Sequence, residues 1–268
     1  MKDKKVLNRG PLPETVENPD VAAWLAAGLG ELAVVGEPDR GRVDYPALVA
    51  SPVFRRFQAE TARLRQYDPG DLGSLEERLA FWINLYNGLV LHGVAALGIA
   101  ESLKEVPDFF SRIGYDVGGE VFTPDDIRHG ILRANQRQPY GLFQPFADGD
   151  PRCIHVIDPP DPRIHFALSG ACRSSPRFAV YDPRGLREQL DRAASRFINS
   201  PQVEIVPRKN LLFLSPLFKW YRLDFGGYEG MIDLLIRYMD HGQAKDFLIE
   251  RGLGAEVTWL DFDWRLNT

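Results

Sequence analysis

An imidazole followed closely by a thiol and several hydroxyls is the first place in this chain where chemistry could reside. His165 is succeeded by Ser169-Gly-Ala-Cys-Arg-Ser-Ser-Pro176. A turn of such small residues can bring Sγ or Oγ within hydrogen-bond reach of a ring nitrogen, as general-base activation of a nucleophile requires. Cys172 is the better candidate nucleophile, because a few per cent (~) of an unperturbed thiol is ionised near neutral pH. Ser174 is the alternative. Asp161 could orient the imidazole, and Arg163 beside it could contact a substrate. A second constellation places Asp125, His129 and Arg133 at i, i+4 and i+8, one above another on a helix. A third puts two amides, Asn84 and Asn87, three residues apart in an otherwise apolar stretch, where they could orient a substrate or stabilise an oxyanion.

Each constellation also has a structural explanation. His165 could donate to a backbone carbonyl while the serines cap a turn. Asp125, His129 and Arg133 could form a solvated charged face, whose pairs stabilise by only a few tenths (~) of a kcal/mol. A lone cysteine often packs as a small hydrophobe. A buried amide without partners costs about 1–3 kcal/mol, so two asparagines kept in an apolar helix must meet partners, and a clamped loop backbone would supply them.

Other chemistries lack support. There is no Gly-x-Ser-x-Gly elbow, which disfavours an α/β-hydrolase. The histidines (His92, His129, His155, His165, His241) are scattered, with no His-Glu-x-x-His or paired Cys-x-x-Cys, so no metal is expected. His155 and His165 could converge only if their segments were paired strands. No Gly-x-Gly-x-x-Gly or Walker loop is present, and no cofactor is expected. A net charge of −5 and a pI near 5.6 give no footprint for nucleic acid or anionic lipid. Lys219-Trp220-Tyr221-Arg222 mixes cations and aromatics, yet reads as packing on an amphipathic helix. Basic residues near Met1 lack an apolar run behind them, so no secretory signal is expected. The apolar stretch around Leu85 to Ile99 is short and interrupted, so no membrane span is expected. Two cysteines form no disulfide framework, and a reducing, cytoplasmic setting is the expectation. The expected partner is a small molecule or peptide of unspecified identity. Oligomeric state is not encoded in any recognisable way.

These residues need elements to hold them. Residues 1–42, rich in Pro, Gly and charge, read as an arm with one helix in the apolar stretch Val21 to Val35. Residues 43–268 read as one domain with a single core. Ser51-Pro52 starts a helix with Phe54, Phe57, Thr61 and Leu64 on one stripe. Ser74 and Glu77 form a capping-box pattern opening a helix from Leu75 to Leu97, apolar on nearly every face as a buried central helix would be. Thr123-Pro124-Asp125-Asp126 opens another, running to about Ala134. Cys153 to Ile157 and Arg163 to Leu168 read as strands around the turn Asp158-Pro-Pro-Asp-Pro162, which would turn His165 away from the core side of Ile164 and Phe166 and toward a cleft. Leu186, Leu190, Ala194 and Phe197 mark a helix. Val203 to Val206 and Leu211 to Leu214 read as a strand pair, followed by helices at Leu217 to Leu223 and Tyr228 to Met239 and a strand from Val257 to Phe262. Helices and strands without regular alternation predict an α+β fold, with a buried central helix on a small, largely antiparallel sheet and several peripheral helices.

Four stretches, in order, carry a family resemblance. They are Ala80-Phe-Trp-Ile-Asn-Leu-Tyr-Asn87, Asp126-Ile-Arg-His-Gly-Ile-Leu-Arg133, Arg163-Ile-His-Phe-Ala-Leu168 with the Ser169–Pro176 loop, and Phe218-Lys-Trp-Tyr-Arg-Leu-Asp-Phe225 with Asp263-Trp-Arg-Leu-Asn267. From about Asp44 to the end, the chain resembles the domain of unknown function 547 family. The family pattern places cysteines where this chain has Gly170 and Ser175, and Cys172 stands at a different offset. The resemblance implies no substrate. Two functions follow from the residues. One is a hydrolase or acyl-transfer enzyme, with His165 as base, Cys172 or Ser174 as nucleophile, His129 and Asp161 assisting, and Asn84, Asn87, Arg133 and Arg163 on the substrate. The other is a non-catalytic binding or scaffold module, in which the same polar residues form a buried network fixing the fold.

Overall fold

A computed structural model describes residues 4–13, 20–36, 42–139 and 141–268. Its elements run β1 (Lys5–Val6), α1 (Val21–Gly36), α2 (Tyr45–Ala50), α3 (Pro52–Glu60), α4 (Leu75–Ala96), α5 (Phe109–Arg112), β2 (Ile113–Val117) and β3 (Glu120–Phe122). There follow α6 (Leu186–Ile198), β4 (Val203–Val206), β5 (Leu211–Leu214), α7 (Pro216–Trp220), α8 (Gly227–Tyr238), α9 (Gln243–Arg251) and β6 (Glu256–Trp259). The fold is α+β. Of the expected arm, β1 and α1 are integral: β1 pairs in parallel with β2, and α1 lays Leu25, Leu29 and Leu32 against α2, α3 and α4. Residues 1–3, 14–19 and 37–41 of the arm lie outside the described residues.

The Ser74 capping box sets the start of α4. Ser74 Oγ accepts from Glu77 N at 3.1 Å, and the Glu77 carboxylate accepts from Ser74 N at 2.8 Å. Every residue from Leu79 to Val94 is buried, which explains why no polar stripe marks this helix. Counted from Leu75 it is long and apolar enough to cross a bilayer, yet 89% of its apolar window is buried within the protein. The apolar stretch therefore begins about ten residues earlier than the sequence reading placed it.

Two sheets replace the single, largely antiparallel one expected. In the first, β2 pairs in parallel with β1 and antiparallel with β3; in the second, β5 pairs antiparallel with β4 and in parallel with β6. The apolar interior likewise forms two clusters. One surrounds α4, and the other lies among α6 to α9 and the second sheet. Phe166 belongs to the second cluster, packed on Phe197, Phe218 and Phe225, whereas its neighbours Ile164, Ala167 and Leu168 belong to the first.

The expected strands at 153–157 and 163–168 are short 3-10 helices instead, Pro151–His155 and Pro162–Phe166. Asp150 and Asp161 cap them by accepting from the amides of Arg152 and Arg163, and each has proline at its first position. Proline fixes φ for a helical turn and Asp competes for the backbone amide two residues on, so Asp-Pro here starts a turn and does not merely separate strands. The side chains therefore do not alternate between faces: Ile164, His165 and Phe166 are all buried. The segment after Thr123 winds as a π-helix, Asp126–Ile131, with Leu132 N bonded to Ile127 O and Asn135 N to Gly130 O, each five residues back. Gly130 is required there, since a Cβ would stand 2.3 Å from the Phe146 ring.

Candidate functional site

His165 does not look into a cleft. Its side chain is 1% exposed, and Nε2 lies 2.7 Å from the Asp224 carboxylate, itself 1% exposed. Asp224 arrives from a distant part of the chain, on the short run between α7 and α8 that Gly226 and Gly227, both at positive φ, turn back into α8. The same carboxylate receives the Arg133 guanidinium, Nη2 to Oδ1 at 2.8 Å and Nε to Oδ2. Arg133 also donates from Nη1 to Arg137 O at 2.9 Å and to His129 Nδ1 at 2.8 Å. His129 Nε2 is 3.8 Å from Asp125, so the stripe Asp125–His129–Arg133 exists as a line of contacts, but turned inward and not toward solvent. Tyr221 is the platform. The His165 ring stacks on it at 3.9 Å, Arg133 lies over it at 4.9 Å, and Arg128 donates to its hydroxyl at 3.0 Å.

The protonation states follow. Burial pushes the Asp224 carboxyl up, but the hydrogen bonds from Arg133 and His165 outweigh burial and hold it well below the usual carboxylate range. Burial drives the His165 imidazole down to about 4, against the upward pull of Asp224. Burial, then the charges of Arg128 and Arg133, hold His129 low as well. At neutral pH Asp224 is an anion and both imidazoles are neutral. A carboxylate only accepts, so Nε2 of His165 carries the proton and Nδ1 bears a lone pair. Nδ1 is buried with no partner among the described residues, as are the Tyr86 hydroxyl and Arg128 Nε. The Arg128 guanidinium covers the Tyr86 ring at 4.9 Å while it donates to the Tyr221 hydroxyl.

The expected nucleophiles are elsewhere. Cys172 is buried, bridged to Leu266, and burial pushes its thiol up to about 11, the opposite of an activated thiolate. The Ser174 hydroxyl accepts from Asp263 N at 2.9 Å. Neither is hydrogen-bonded to His165. The loop has docked on the C-terminal segment: Arg173 N donates to Arg265 O, and Asn267 N to Ala171 O. Asp161 does not orient His165; it caps its helix and pairs with Arg163, which reaches on to Asp191 at 2.8 Å. Asp224 takes that orienting place. Asn84 and Asn87 are clamps. Asn84 bonds both backbone groups of Tyr181, at 2.8 and 2.9 Å. Asn87 donates to Ala167 O and Ala179 O and accepts from Ser169 N, so it holds the chain just past His165. His155 packs on Trp82 and Phe122, away from His165's stack on Tyr221. Among the described residues no group of three potential ligands could hold a metal.

Asp224 is also where the network approaches solvent. It lines two grooves. One, of about 770 Å³, includes Arg133, Arg137, Lys219, Trp220, Arg222 and Trp259. The other, of about 800 Å³, includes Asp161, Arg163, Arg187 and Asp191. His165 and His129 line neither. Sequence reasoning missed Asp224, Tyr221 and Arg128 as site residues. Their signal lay in the motif stretches Asp126–Arg133 and Phe218–Phe225, where Tyr221 reads as packing and Asp224 carries no assigned role.

No curated protein and no solved structure matches this chain. The family match is narrower than the resemblance from Asp44 onward: it takes in His129, Arg133 and His165, while Tyr221 and Asp224 come from beyond it. Residues 71–198 match the model of the family described as Protein of unknown function, DUF547.

Proposed function

We propose that the protein is a non-catalytic binding module, in which the polar motif residues form a buried network that fixes the walls of a groove for a small molecule or peptide. The observation that carries this reading is the enclosure of His165: its ring is sealed between Tyr221, Phe225 and the Asp224 carboxylate, with no hydroxyl or thiol hydrogen-bonded to it. A base in that position has nothing to activate. The groove floored by Arg133 and Asp224 is the natural binding face, since it is of the size that small ligands occupy. The free thiols of Cys153 and Cys172 support a reducing, cytoplasmic setting.

One observation favours a second reading, a hydrolase or acyl-transfer enzyme with His165 as base. The Nδ1 lone pair is unsatisfied, and buried polar atoms without partners often mark functional positions. The two readings separate in one experiment. His165→Ala and Asp224→Asn each leave buried polar partners unpaired, so the binding reading expects each to lose about 3–5 kcal/mol of unfolding free energy. It also expects no hydrolysis of p-nitrophenyl acetate above a denatured control. Ester hydrolysis abolished by His165→Ala, with the unfolding midpoint unchanged, would establish the enzyme instead.

A further inference from the structure

A third concavity, of about 460 Å³, lies against the Ser169–Pro176 loop. It is walled by that loop, by α6 and by the end of the chain, and Phe166, Phe197 and Tyr181 lie along its apolar side. Four guanidiniums line it: Arg42, Arg173, Arg177 and Arg196. No Asp or Glu side chain does. In a chain with a net charge of −5, such a concentration of cations runs against the global balance. Among the described residues none of the four is in an ion pair or hydrogen-bonds through its side chain, and Arg173 only acts at longer range on Asp263.

A further polar group points the same way. Tyr181, 1% exposed, also lines this cavity. Asn84 fixes the Tyr181 backbone from both sides, so the ring is held in place. Ser175, Ser200 and Gln202 add short polar groups to the wall.

We infer that this cavity binds a small molecule bearing a phosphate group, with the arginines on the phosphate oxygens and the Tyr181 hydroxyl as a further donor. Guanidinium forks match a tetrahedral dianion through paired N–H donors, and the aromatic wall suits an uncharged body attached to it. The site is separate from the groove at Asp224, and neither assignment depends on the other.

Calorimetric titration of the full chain with inorganic pyrophosphate, at low and at moderate salt, tests this. Binding is expected, weakening as salt rises. The double variant Arg177→Ala/Arg196→Ala should bind at least tenfold more weakly, and Tyr181→Phe several-fold more weakly, with unchanged unfolding temperatures, because the arginines are exposed and the phenyl ring keeps its packing. Absence of pyrophosphate binding, or equal binding by the double variant, would overturn the proposal. So would loss of binding in Arg137→Ala/Arg222→Ala alone, which would move the ligand to the other groove. Tricarballylate binding as tightly as pyrophosphate would overturn the phosphate assignment.

Discussion

The imidazole of His165 is a neutral group kept neutral by its surroundings, and that has a consequence for pH. Its value falls from 6.5 to about 4 on folding, chiefly by burial, and His92, buried against Tyr115 and Gln58, falls likewise to about 4. A depressed folded value means the unfolded chain takes up protons first. The stability these rings confer is full above pH 6.5 and lost as the pH falls through about 4. Asp125 opposes this, since burial raises its carboxyl to about 6, which favours the folded chain as pH falls. Its side chain is a quarter exposed, so its effect is smaller than that of two enclosed rings. Urea midpoints should therefore drop between pH 7 and pH 4.5, by an amount equivalent to a few kcal/mol, on the order of one pH unit's shift per 1.4 kcal/mol. His92→Gln should flatten that limb; a limb unchanged in this variant would remove His92 from the account. The sequence singled out His165 and His129 as candidates, but not what they touch. Their shared partner Asp224 is far along the chain, and no local spacing signals a contact made only in the folded state.

At the scale of elements, legibility followed the locality of the cause. The start of α4 was readable because Ser74 and Glu77 complete their bonds within one turn, and β4 with β5 was readable because the hairpin is short. The 3-10 helices were not, because their apolar residues are buried without alternating, and five-residue segments carry too little periodicity to separate a tight helix from a strand. The asparagines of α4 show how long-range partners decide a role that spacing left open. Asn87 satisfies three backbone groups from two chain segments, Ala167 and Ser169 in one and Ala179 in the other. Asn87→Ala would leave these buried groups unpaired at about 1–3 kcal/mol apiece, so a loss of at least about 3 kcal/mol is expected from chemical denaturation. A loss below about 1 kcal/mol would mean that water replaces the amide and that the clamp is not structural.

On the scale of the whole molecule, the family segment and the polypeptide that completes it are different things. Residues 71–198 supply Arg133, His129 and His165, but Asp224 neutralises Arg133 from outside that segment. The backbone of the Ser169–Pro176 loop finds its partners in Asp263, Arg265 and Asn267, and Phe166, besides Phe197, packs on Phe218 and Phe225 from the same C-terminal region. A chain cut to residues 71–198 would therefore keep a guanidinium and an imidazole in an apolar setting without their counter-charge, and expose Phe166 and the face of α6 that packs on α8. It should collapse without cooperative packing: helical far-ultraviolet dichroism, weak near-ultraviolet signal and a broad thermal transition. The full chain contains every partner of the His165 network together with β1 and α1, and should unfold in one sharp transition. A sharp transition for residues 71–198 alone would show that the His165–Asp224 pair joins two independent units and is not the bond that makes them one.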